Sequence, residues 1–222
     1  MRNRSKISLN IYIIRHGKTP LNERRCFIGK NIDEGLSEGG KAKLRPLTEL
    51  SNCDYVFSGK MKRCAETADI LFGNRKITII DGFMEYDFGD FEGKNHEELD
   101  GNKDYQKWLD SNGKSGIPNA EDANDFWQRS VKTFEKVIKE TINTIESNED
   151  KEDKEDKENT KEVYDIAMVL HSGNIMAIMN KYFKGNPYQY QVGNGNGYLI
   201  TIENPDESID TATFCKEIKC TV

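Results

Sequence analysis

Two apolar segments of this chain each end at a histidine, and a glycine follows each histidine within two positions. The segments are Ile7–Ile14, before Arg15-His16-Gly17, and Val163–Leu170, before His171-Ser172-Gly173. Short apolar runs of this kind are typical of strands that a parallel sheet buries on both faces. Because parallel strands end at one edge of their sheet, where ligands bind in open α/β folds, the sequence predicts that the two imidazoles meet there.

The remaining elements alternate between strand and helix along the chain. Further strands are predicted at Tyr55–Phe57, Ile77–Ile80, Tyr198–Ile202 and Thr211–Ile218. Helices are predicted from Ser37 to about Leu50, over Lys62–Phe72, over 95–110, over 122–146 and from Gly173 to Phe183. This alternation predicts an α/β fold, a three-layer α/β/α sandwich with a mostly parallel central sheet.

The length of 222 residues suits one hydrophobic core, so we expect a single domain over residues 1–222. A charged, low-complexity insert at about 147–162 interrupts this domain and contains no apolar residue. Such a segment cannot join a core, which predicts a solvated extension. A docking site for a basic partner is the alternative.

Charge and cysteine content narrow the class of protein. Residues 146–162 hold nine acids and four lysines, which accounts for −5 of the formal net charge of −6. The rest of the chain is nearly neutral, which argues against nucleic acid and membrane partners. Five cysteines without a CxxC pair are typical of reduced thiols, so we expect a cytoplasmic protein without a disulfide framework or structural zinc. The first apolar run is too short for a signal or membrane segment.

Cationic and imidazole side chains next to the predicted strands suit chemistry on an anion. His16 could act as a nitrogen nucleophile beside Arg15, whereas a buried structural role is the alternative for each strand-end histidine taken alone. Arg63, near the start of the helix after the second strand, could bind a phosphate through two parallel hydrogen bonds. A surface ion pair is the alternative for Arg63. His96 lacks this context and is predicted on an exposed helix face.

Glu85 lies in the Met84–Gly93 loop, which is rich in acidic, aromatic and glycine residues. Cleavage of an alkyl phosphate ester requires an acid that protonates the leaving alkoxide. A carboxyl among aromatic side chains can have the raised pKa that this role requires. Glu85 is one candidate for the acid, and the sequence alone leaves Asp87, Asp90 and Glu92 as competitors.

Five motifs, in order along the chain, resemble those of the histidine phosphatase superfamily, also called the phosphoglycerate mutase-like family. The motifs are Arg15-His16-Gly17-Lys18-Thr19 with Asn22, Arg25–Asp33 followed by Leu36-Ser37-Glu38-Gly39, Arg63 with Glu66-Thr67-Ala68, Glu85–Gly93, and His171. The resemblance extends from about Ile11 to Tyr198. It implies the phosphoglycerate mutase-like fold and a metal-independent phosphomonoesterase that acts on a small-molecule phosphate ester with no cofactor.

The same resemblance implies a role for each residue of the site. His16 would be the nucleophile that forms a phosphohistidine, and Glu85 would donate a proton to the leaving group and then activate water. The phosphoryl oxygens would be bound by Arg15, Asn22, Arg63 and His171, and the substrate by Gly29 and Glu121. No metal is implied, because cationic side chains can neutralise the phosphoryl charge.

Within the superfamily, the chain is most similar to α-ribazole phosphatases, which implies α-ribazole 5′-phosphate of cobalamin synthesis as the substrate. The similar stretches are Asn22–Gly29 with Asp33, Asp87–Lys94 and Tyr105–Trp108. The alternatives are a broad-specificity phosphatase, a phosphoglycerate mutase and a catalytically silent scaffold that binds a phospholigand. Only 28 positions separate Gly93 from Glu121, too few for a mutase insertion, and Tyr86 replaces an expected mutase arginine. A homodimer is left open.

Three positions depart from the family pattern. Pro118–Asp122 replaces a turn like Gly-Gly-Glu-Ser, which changes the backbone angles available there. Ser172 stands where a glycine is common after the second histidine, and Lys60 stands where a proline is expected before the Arg63 helix. None of these departures removes a catalytic group.

Overall fold

The computed structural model of the protein describes residues 7–111, 113, 115–149, 162–205 and 208–221. The strands are β1 (Ser8–Arg15), β2 (Tyr55–Gly59), β3 (Ile77–Ile80), β4 (Val163–Leu170), β5 (Asn196–Glu203) and β6 (Thr213–Lys219). The α-helices are α1 (Pro20–Glu23), α2 (Glu38–Lys43), α3 (Lys62–Phe72), α4 (Lys103–Asp110), α5 (Ala123–Glu149) and α6 (Ser172–Phe183). Short 3₁₀ helices lie at Thr48–Leu50, Gly89–Phe91, Pro187–Tyr190 and Ile209–Thr211.

Six strands of the described residues form one sheet in the order β3-β2-β4-β1-β5-β6. The first four strands in this order are parallel to one another, whereas β5 is antiparallel to β1 and β6 is antiparallel to β5. In the pairing of β1 with β4, Arg15 lies opposite Leu170. The next residues, His16 and His171, therefore begin at the same edge of the sheet. The mostly parallel sheet predicted from the sequence is confirmed.

Helices cover both faces of the sheet because the side chains of each strand alternate between the faces. In β1, Leu9, Ile11 and Ile13 belong to a buried cluster that also contains residues of α5 and α6. The intervening Tyr12 and Ile14 belong to a second cluster, with residues of α3. The sheet is thus the middle of three layers, as the predicted α/β/α sandwich requires.

A third, smaller cluster of buried side chains surrounds α4. Its buried members are Phe91, Leu99, Tyr105 and Ile117, and the partly buried rings of Phe27, Tyr86, Phe88 and Trp108 pack against them. The cluster therefore joins the loop after α1 to the loop after β3. These two loops carry many of the residues that the family resemblance singles out.

The helix predicted from Ser37 to about Leu50 is shorter in the structure, because α2 ends at Lys43. Two residues later, Arg45 precedes Pro46. The ring of a proline disfavours helical backbone at the residue before it, so the helix cannot continue through this point. The chain turns helical again only in the 3₁₀ segment that ends at Leu50.

The helix predicted over 95–110 begins only at Lys103. Gly101 has a φ of 73°, a left-handed backbone conformation that interrupts a helix. The side chain of Asn102 then accepts hydrogen bonds from the first turn of α4 and caps it. His96 is exposed, as predicted, but lies in a turn rather than on a helix.

The helix predicted over 122–146 is α5, which extends to Glu149. Most of the predicted charged insert, residues 150–161, lies outside the described residues. No helix in the described part of the chain has the length and apolarity that crossing a membrane requires. Free thiols are found at Cys26, Cys53, Cys64 and Cys220.

Candidate active site

The two strand-end histidines lie together at the edge of the sheet. The ring centroids of His16 and His171 are 5.2 Å apart, and the ring planes are inclined at 65°. The backbone N–H of His16 donates to the carbonyl of Leu170 at 2.9 Å, which continues the β1–β4 pairing to the histidine itself. The convergence of the imidazoles, predicted from the two strand ends, is confirmed.

One ring nitrogen of His16 is available as a nucleophile. Its Nδ1 lies 2.7 Å from the carbonyl oxygen of Gly17. Since a carbonyl oxygen only accepts hydrogen bonds, Nδ1 carries the proton of the neutral ring and Nε2 carries the lone pair. The N–H of Gly17 donates in turn to Oγ1 of Thr67 at 2.8 Å, which fixes the turn after β1.

Burial and neighbouring charge keep both imidazoles neutral. His16 is only 4% exposed, and this burial, together with the charges of Arg63 and Arg15, lowers its pKa well below the usual value. His171 is fully buried, and burial and Arg63 lower its pKa in the same direction. His16 can therefore attack an electrophile at neutral pH without first losing a proton.

His16 lines a cavity of about 400 Å³. Arg15, Asn22 and Glu85 line the cavity with it, and we call these four residues the polar floor. Seven aromatic side chains also line the cavity, and we call them the aromatic wall: Phe27, Tyr86, Phe88, Trp108, Phe126, Trp127 and Tyr188. A cavity with these two parts suits a ligand that combines an anionic group with a flat apolar group.

Arg63, in the first turn of α3, is fully buried and orients His171. Its Nη1 donates to the carbonyl of Ile32 at 2.7 Å and its Nη2 to that of Gly29 at 3.2 Å. Its Nε donates to Nδ1 of His171 at 3.3 Å, and Sγ of Cys64 lies 3.4 Å from the other ring nitrogen. Neither Arg63 nor His171 lines the cavity, so both lie behind His16.

Glu85, in the loop after β3, is the buried carboxyl of the polar floor. Its Oε1 accepts from the N–H of Tyr86 at 2.9 Å and its Oε2 from the N–H of Gly173 at 3.4 Å. A side chain at position 173 would clash with Oε1, so glycine allows this close approach. Burial raises the pKa of Glu85, although these hydrogen bonds and the nearby arginines oppose the shift. A raised pKa keeps the carboxyl protonated to higher pH, as a proton donor requires.

The other acids of the same loop have different surroundings. Asp87 forms an ion pair with Lys30 at 3.2 Å. Partial burial acts to raise the pKa of Asp87, but hydrogen bonds and the charge of Lys30 outweigh it and lower that pKa. Asp90 is exposed, and none of Asp87, Asp90 and Glu92 lines the cavity. Among the four acids that the sequence leaves open, the geometry favours Glu85.

Arg15 and Asn22 offer hydrogen-bond donors to the cavity. Nη1 of Arg15 donates to the carbonyl of Val192 at 2.7 Å, and its buried Nε has no partner among the described residues. Oδ1 of Asn22 accepts from the N–H of Thr19 at 3.2 Å and from Nδ2 of Asn194 at 3.0 Å. The amide nitrogen of Asn22 is thereby left to donate. An anion in the cavity could accept hydrogen bonds from both side chains.

Gly29 and Glu121, which the resemblance implies as substrate contacts, do not line the cavity. Glu121 forms an ion pair with Arg129 at 3.1 Å and accepts from the N–H of Asp87 at 2.8 Å, so it holds the loop after β3. The carbonyl of Gly29 accepts from Arg63, and no side chain would fit at this position. Both residues therefore support the site from outside the cavity.

Ser172 and Asn194 are among the cavity residues that were not predicted as site residues. Ser172 lies between His171 and Gly173, so the second strand-end motif could have indicated it. Asn194 lies between α6 and β5, and its side chain donates to the backbone carbonyl of His16 at 3.2 Å. No local pattern marks Asn194, because its contact arises only when the chain folds back onto β1.

The sequence profile of the histidine phosphatase superfamily (branch 1) matches residues 11–211. The chain belongs to the histidine phosphatase superfamily. The family and the phosphatase class that the motifs predicted are confirmed. No curated protein matches the chain in sequence.

This histidine phosphatase is similar in fold to several solved structures. The α-ribazole phosphatase from Shigella flexneri is 20% identical, over 96% of this chain and 98% of its own, with a TM-score of 0.67. A phosphoserine phosphatase from Entamoeba histolytica, in complex with 3-phosphoglyceric acid, is 19% identical over 95% and 97%, with a TM-score of 0.67. The phosphoglycerate mutase from Bacillus anthracis str. Sterne is 19% identical over 97% and 95%, with a TM-score of 0.67. These likenesses establish the phosphoglycerate mutase-like fold.

Proposed function

We propose that this histidine phosphatase hydrolyses small-molecule phosphate monoesters, without a metal ion, through a phosphohistidine at His16. The observation that carries the proposal is the state of the His16 ring. The ring is neutral, its Nδ1 is held by the Gly17 carbonyl, and it lines the cavity with Nε2 carrying the lone pair. Arg15 and Arg63 supply positive charge beside it.

In the first step, Nε2 of His16 attacks phosphorus, and the bond between phosphorus and the ester oxygen breaks. The electron pair of that bond goes to the ester oxygen. Glu85, whose pKa burial raises, donates its proton to the same oxygen. The alcohol leaves, and the site then holds a phosphohistidine and the Glu85 carboxylate.

In the second step, a water molecule attacks phosphorus while the Glu85 carboxylate takes a proton from it. The bond between phosphorus and Nε2 breaks, inorganic phosphate forms, and both residues return to their starting protonation states. Fixed positive charge stabilises the phosphoryl group throughout. Of the four proposed phosphoryl-binding residues, Arg15 and Asn22 line the cavity and would contact the phosphoryl oxygens directly. Arg63 and His171 would act from behind His16, Arg63 through its charge and His171 through its hydrogen bond with Arg63.

For the substrate, we propose α-ribazole 5′-phosphate. Its benzimidazole base is flat and apolar, and the aromatic wall offers ring faces and edges that suit such a group. The likeness in fold to the α-ribazole phosphatase from Shigella flexneri adds support. A broad-specificity phosphatase is the second candidate, because a cavity of about 400 Å³ lined largely by rings also accepts other apolar leaving groups.

A phosphatase screen in EDTA tests the proposal with α-ribazole 5′-phosphate, sugar phosphates, phosphoglycerates and nucleotides. We expect turnover in EDTA, with the highest kcat/KM for α-ribazole 5′-phosphate. Similar kcat/KM values across the classes would support the broad-specificity phosphatase, and isomerised phosphoglycerate without released phosphate would support a mutase. If no ester is turned over, the phosphatase proposal is wrong and a silent scaffold is favoured.

The nucleophile is tested with His16→Ala. We expect a loss of turnover of at least about 10³-fold and the disappearance of acid-labile labelling by a radioactive phosphate donor, because no other imidazole lines the cavity among the described residues. The matched control is His96→Ala, which removes an exposed imidazole outside the cavity and should retain turnover and labelling. Persistent labelling of His16→Ala would contradict the assignment.

A further inference from the structure

Two buried polar atoms at the cavity have no hydrogen-bond partner among the described residues. They are Nε of Arg15 and Oγ of Ser172, and both residues line the cavity. Buried polar groups are nearly always hydrogen-bonded in proteins, because an unpaired one loses its contact with water and gains nothing. An occupant of the cavity that supplies hydrogen-bond acceptors would satisfy both atoms.

Ser172 is well placed to meet such an occupant. It is the first residue of α6, directly after His171. The N–H of the next residue, Gly173, donates to Oε2 of Glu85, so Ser172 directly precedes a residue that contacts the proposed proton donor. The start of a helix of 12 residues also carries partial positive charge, which favours an anion.

No acceptor among the described residues forms a hydrogen bond with either atom. Both oxygens of Glu85 accept from backbone N–H groups, and the Arg15 Nε–H can only donate. The Nε–H of Arg15 and the hydroxyl of Ser172 can therefore both be satisfied by a ligand whose oxygens accept hydrogen bonds. A phosphoryl group above His16 supplies such oxygens.

We propose that the hydroxyl of Ser172 donates a hydrogen bond to a non-bridging oxygen of the substrate phosphoryl group. This inference rests on the proposed phosphatase function and adds a phosphoryl-binding residue to it. The family pattern leads us to expect a glycine at this position, and glycine has no side-chain donor. The contact is therefore a property of this chain.

Ser172→Ala tests the proposal through the affinity for inorganic phosphate, measured by calorimetry, and through kinetics. A hydrogen bond to a charged group corresponds to about tenfold or more in affinity. We expect phosphate to bind about 10-fold more weakly to the variant. The value of kcat/KM should fall by a similar factor for p-nitrophenyl phosphate and for an alkyl phosphate, because the phosphoryl group is common to both. Thermal unfolding without phosphate should be unchanged, since the removed hydroxyl has no partner in the described part of the chain.

The matched control is Ser208→Ala, which removes a serine hydroxyl that accepts from the N–H of Asp210 and lies outside the cavity. Phosphate affinity should be unchanged in this variant. Unchanged phosphate affinity in Ser172→Ala would overturn the proposal, and so would a kinetic loss confined to one leaving group. If the wild-type protein binds phosphate but hydrolyses no ester, the proposed function fails while the affinity comparison still decides the role of Ser172.

Discussion

The polar floor and the aromatic wall of the cavity are built in different ways. The floor residues lie at strand ends, in an adjacent loop or in the short helix α1. Hydrogen bonds to the backbone hold them, as the Gly17 carbonyl holds the His16 ring. The wall residues are spread from position 27 to position 188. Five of them are joined by ring contacts: Phe27, Tyr86, Phe88, Trp108 and Phe126. Phe27 and Trp108, for example, meet edge to face with ring centroids 5.7 Å apart.

This difference separates the reaction from the choice of substrate. A hydrogen bond weakens steeply when its angle or length changes, so the geometry of the floor tolerates little alteration. An aromatic pair contributes about 0.5–1.5 kcal/mol beyond its buried area and accepts several arrangements. Changes at the floor residues that act on the phosphoryl group should therefore affect every ester alike, and changes at Glu85 should depend on how much the leaving group needs a proton. Changes at the wall should instead depend on whether the leaving group carries a ring.

Among the variants that should lower kcat/KM equally for every ester, Arg63→Met is expected to have the largest effect. It removes a buried charge behind the floor. Loss of such a charge should lower kcat/KM by about 10²–10³-fold for every ester. Burial and the Arg63 charge together hold the pKa of His16 low, so the variant should raise that pKa. Protonated His16 cannot attack, and the acid limb of the kcat/KM profile should therefore move to higher pH. Steady-state kinetics from acidic to neutral pH measure both effects.

Arg75→Met is the matched control for Arg63→Met. Arg75 also donates to two backbone carbonyls, those of Cys53 at 3.1 Å and Ser51 at 2.6 Å, but it lies outside the cavity. We expect Arg75→Met to unfold at a lower temperature, because two hydrogen bonds are lost, but to keep its kcat/KM. Thermal unfolding and steady-state kinetics measure the two quantities. If Arg63→Met instead spares some leaving groups, the separation of floor from wall is wrong.

Glu85→Gln should lower kcat to different extents for different esters, because only esters with a poor leaving group need the acid. An alkyl phosphate should lose about 10²–10⁴-fold in kcat, whereas p-nitrophenyl phosphate, whose leaving group needs little protonation, should lose much less. The matched control is Asp90→Asn, an exposed acid of the same loop, which should lose nothing measurable. Equal losses for both esters would assign proton donation to another group.

The pH dependence gives an independent measure of the same carboxyl. Burial raises the pKa of Glu85, so the acid stays protonated to higher pH than a free carboxyl. Turnover of an alkyl phosphate should therefore fall as the pH rises through that raised value, and p-nitrophenyl phosphate should show a weaker fall. Glu85→Gln should remove this alkaline fall, because the amide does not titrate. An unchanged profile would show that the fall has another origin.

The floor could be predicted from the sequence because its motif is local. His16 follows an apolar strand directly, and a parallel pairing leaves one edge at which a second strand-end histidine can join it. The sequence therefore predicted that His16 and His171 meet, although they are 155 positions apart. The choice of Glu85 among four acids needed the fold, since burial decides it and burial depends on packing.

Other features depended on contacts that a motif does not contain. The family pattern supplies the identity of Glu121, but the direction of its carboxylate follows from Arg129 on α5. The aromatic wall assembles from loops and helices that are adjacent only in the folded chain, and Asn194 reaches the floor in the same way. The helix predicted to about Leu50 is wrong in its end, because Pro46, which the sequence itself contains, stops α2 at Lys43.

The smallest expected effect is also the most selective, and it belongs to the wall. Trp108 lines the cavity from α4 and packs edge to face against Phe27. In Trp108→Ala, we expect KM for an aromatic ester such as α-ribazole 5′-phosphate to rise about 5–10-fold, which corresponds to the loss of one ring contact, with kcat unchanged. Glycerol phosphate, which has no ring, should retain its KM. The adjacent Leu109→Ala removes a half-exposed apolar side chain that does not line the cavity and should leave both values unchanged. A fall in kcat for both esters would mean that Trp108 positions the floor, and that the chemistry and the choice of substrate are not separable in this site.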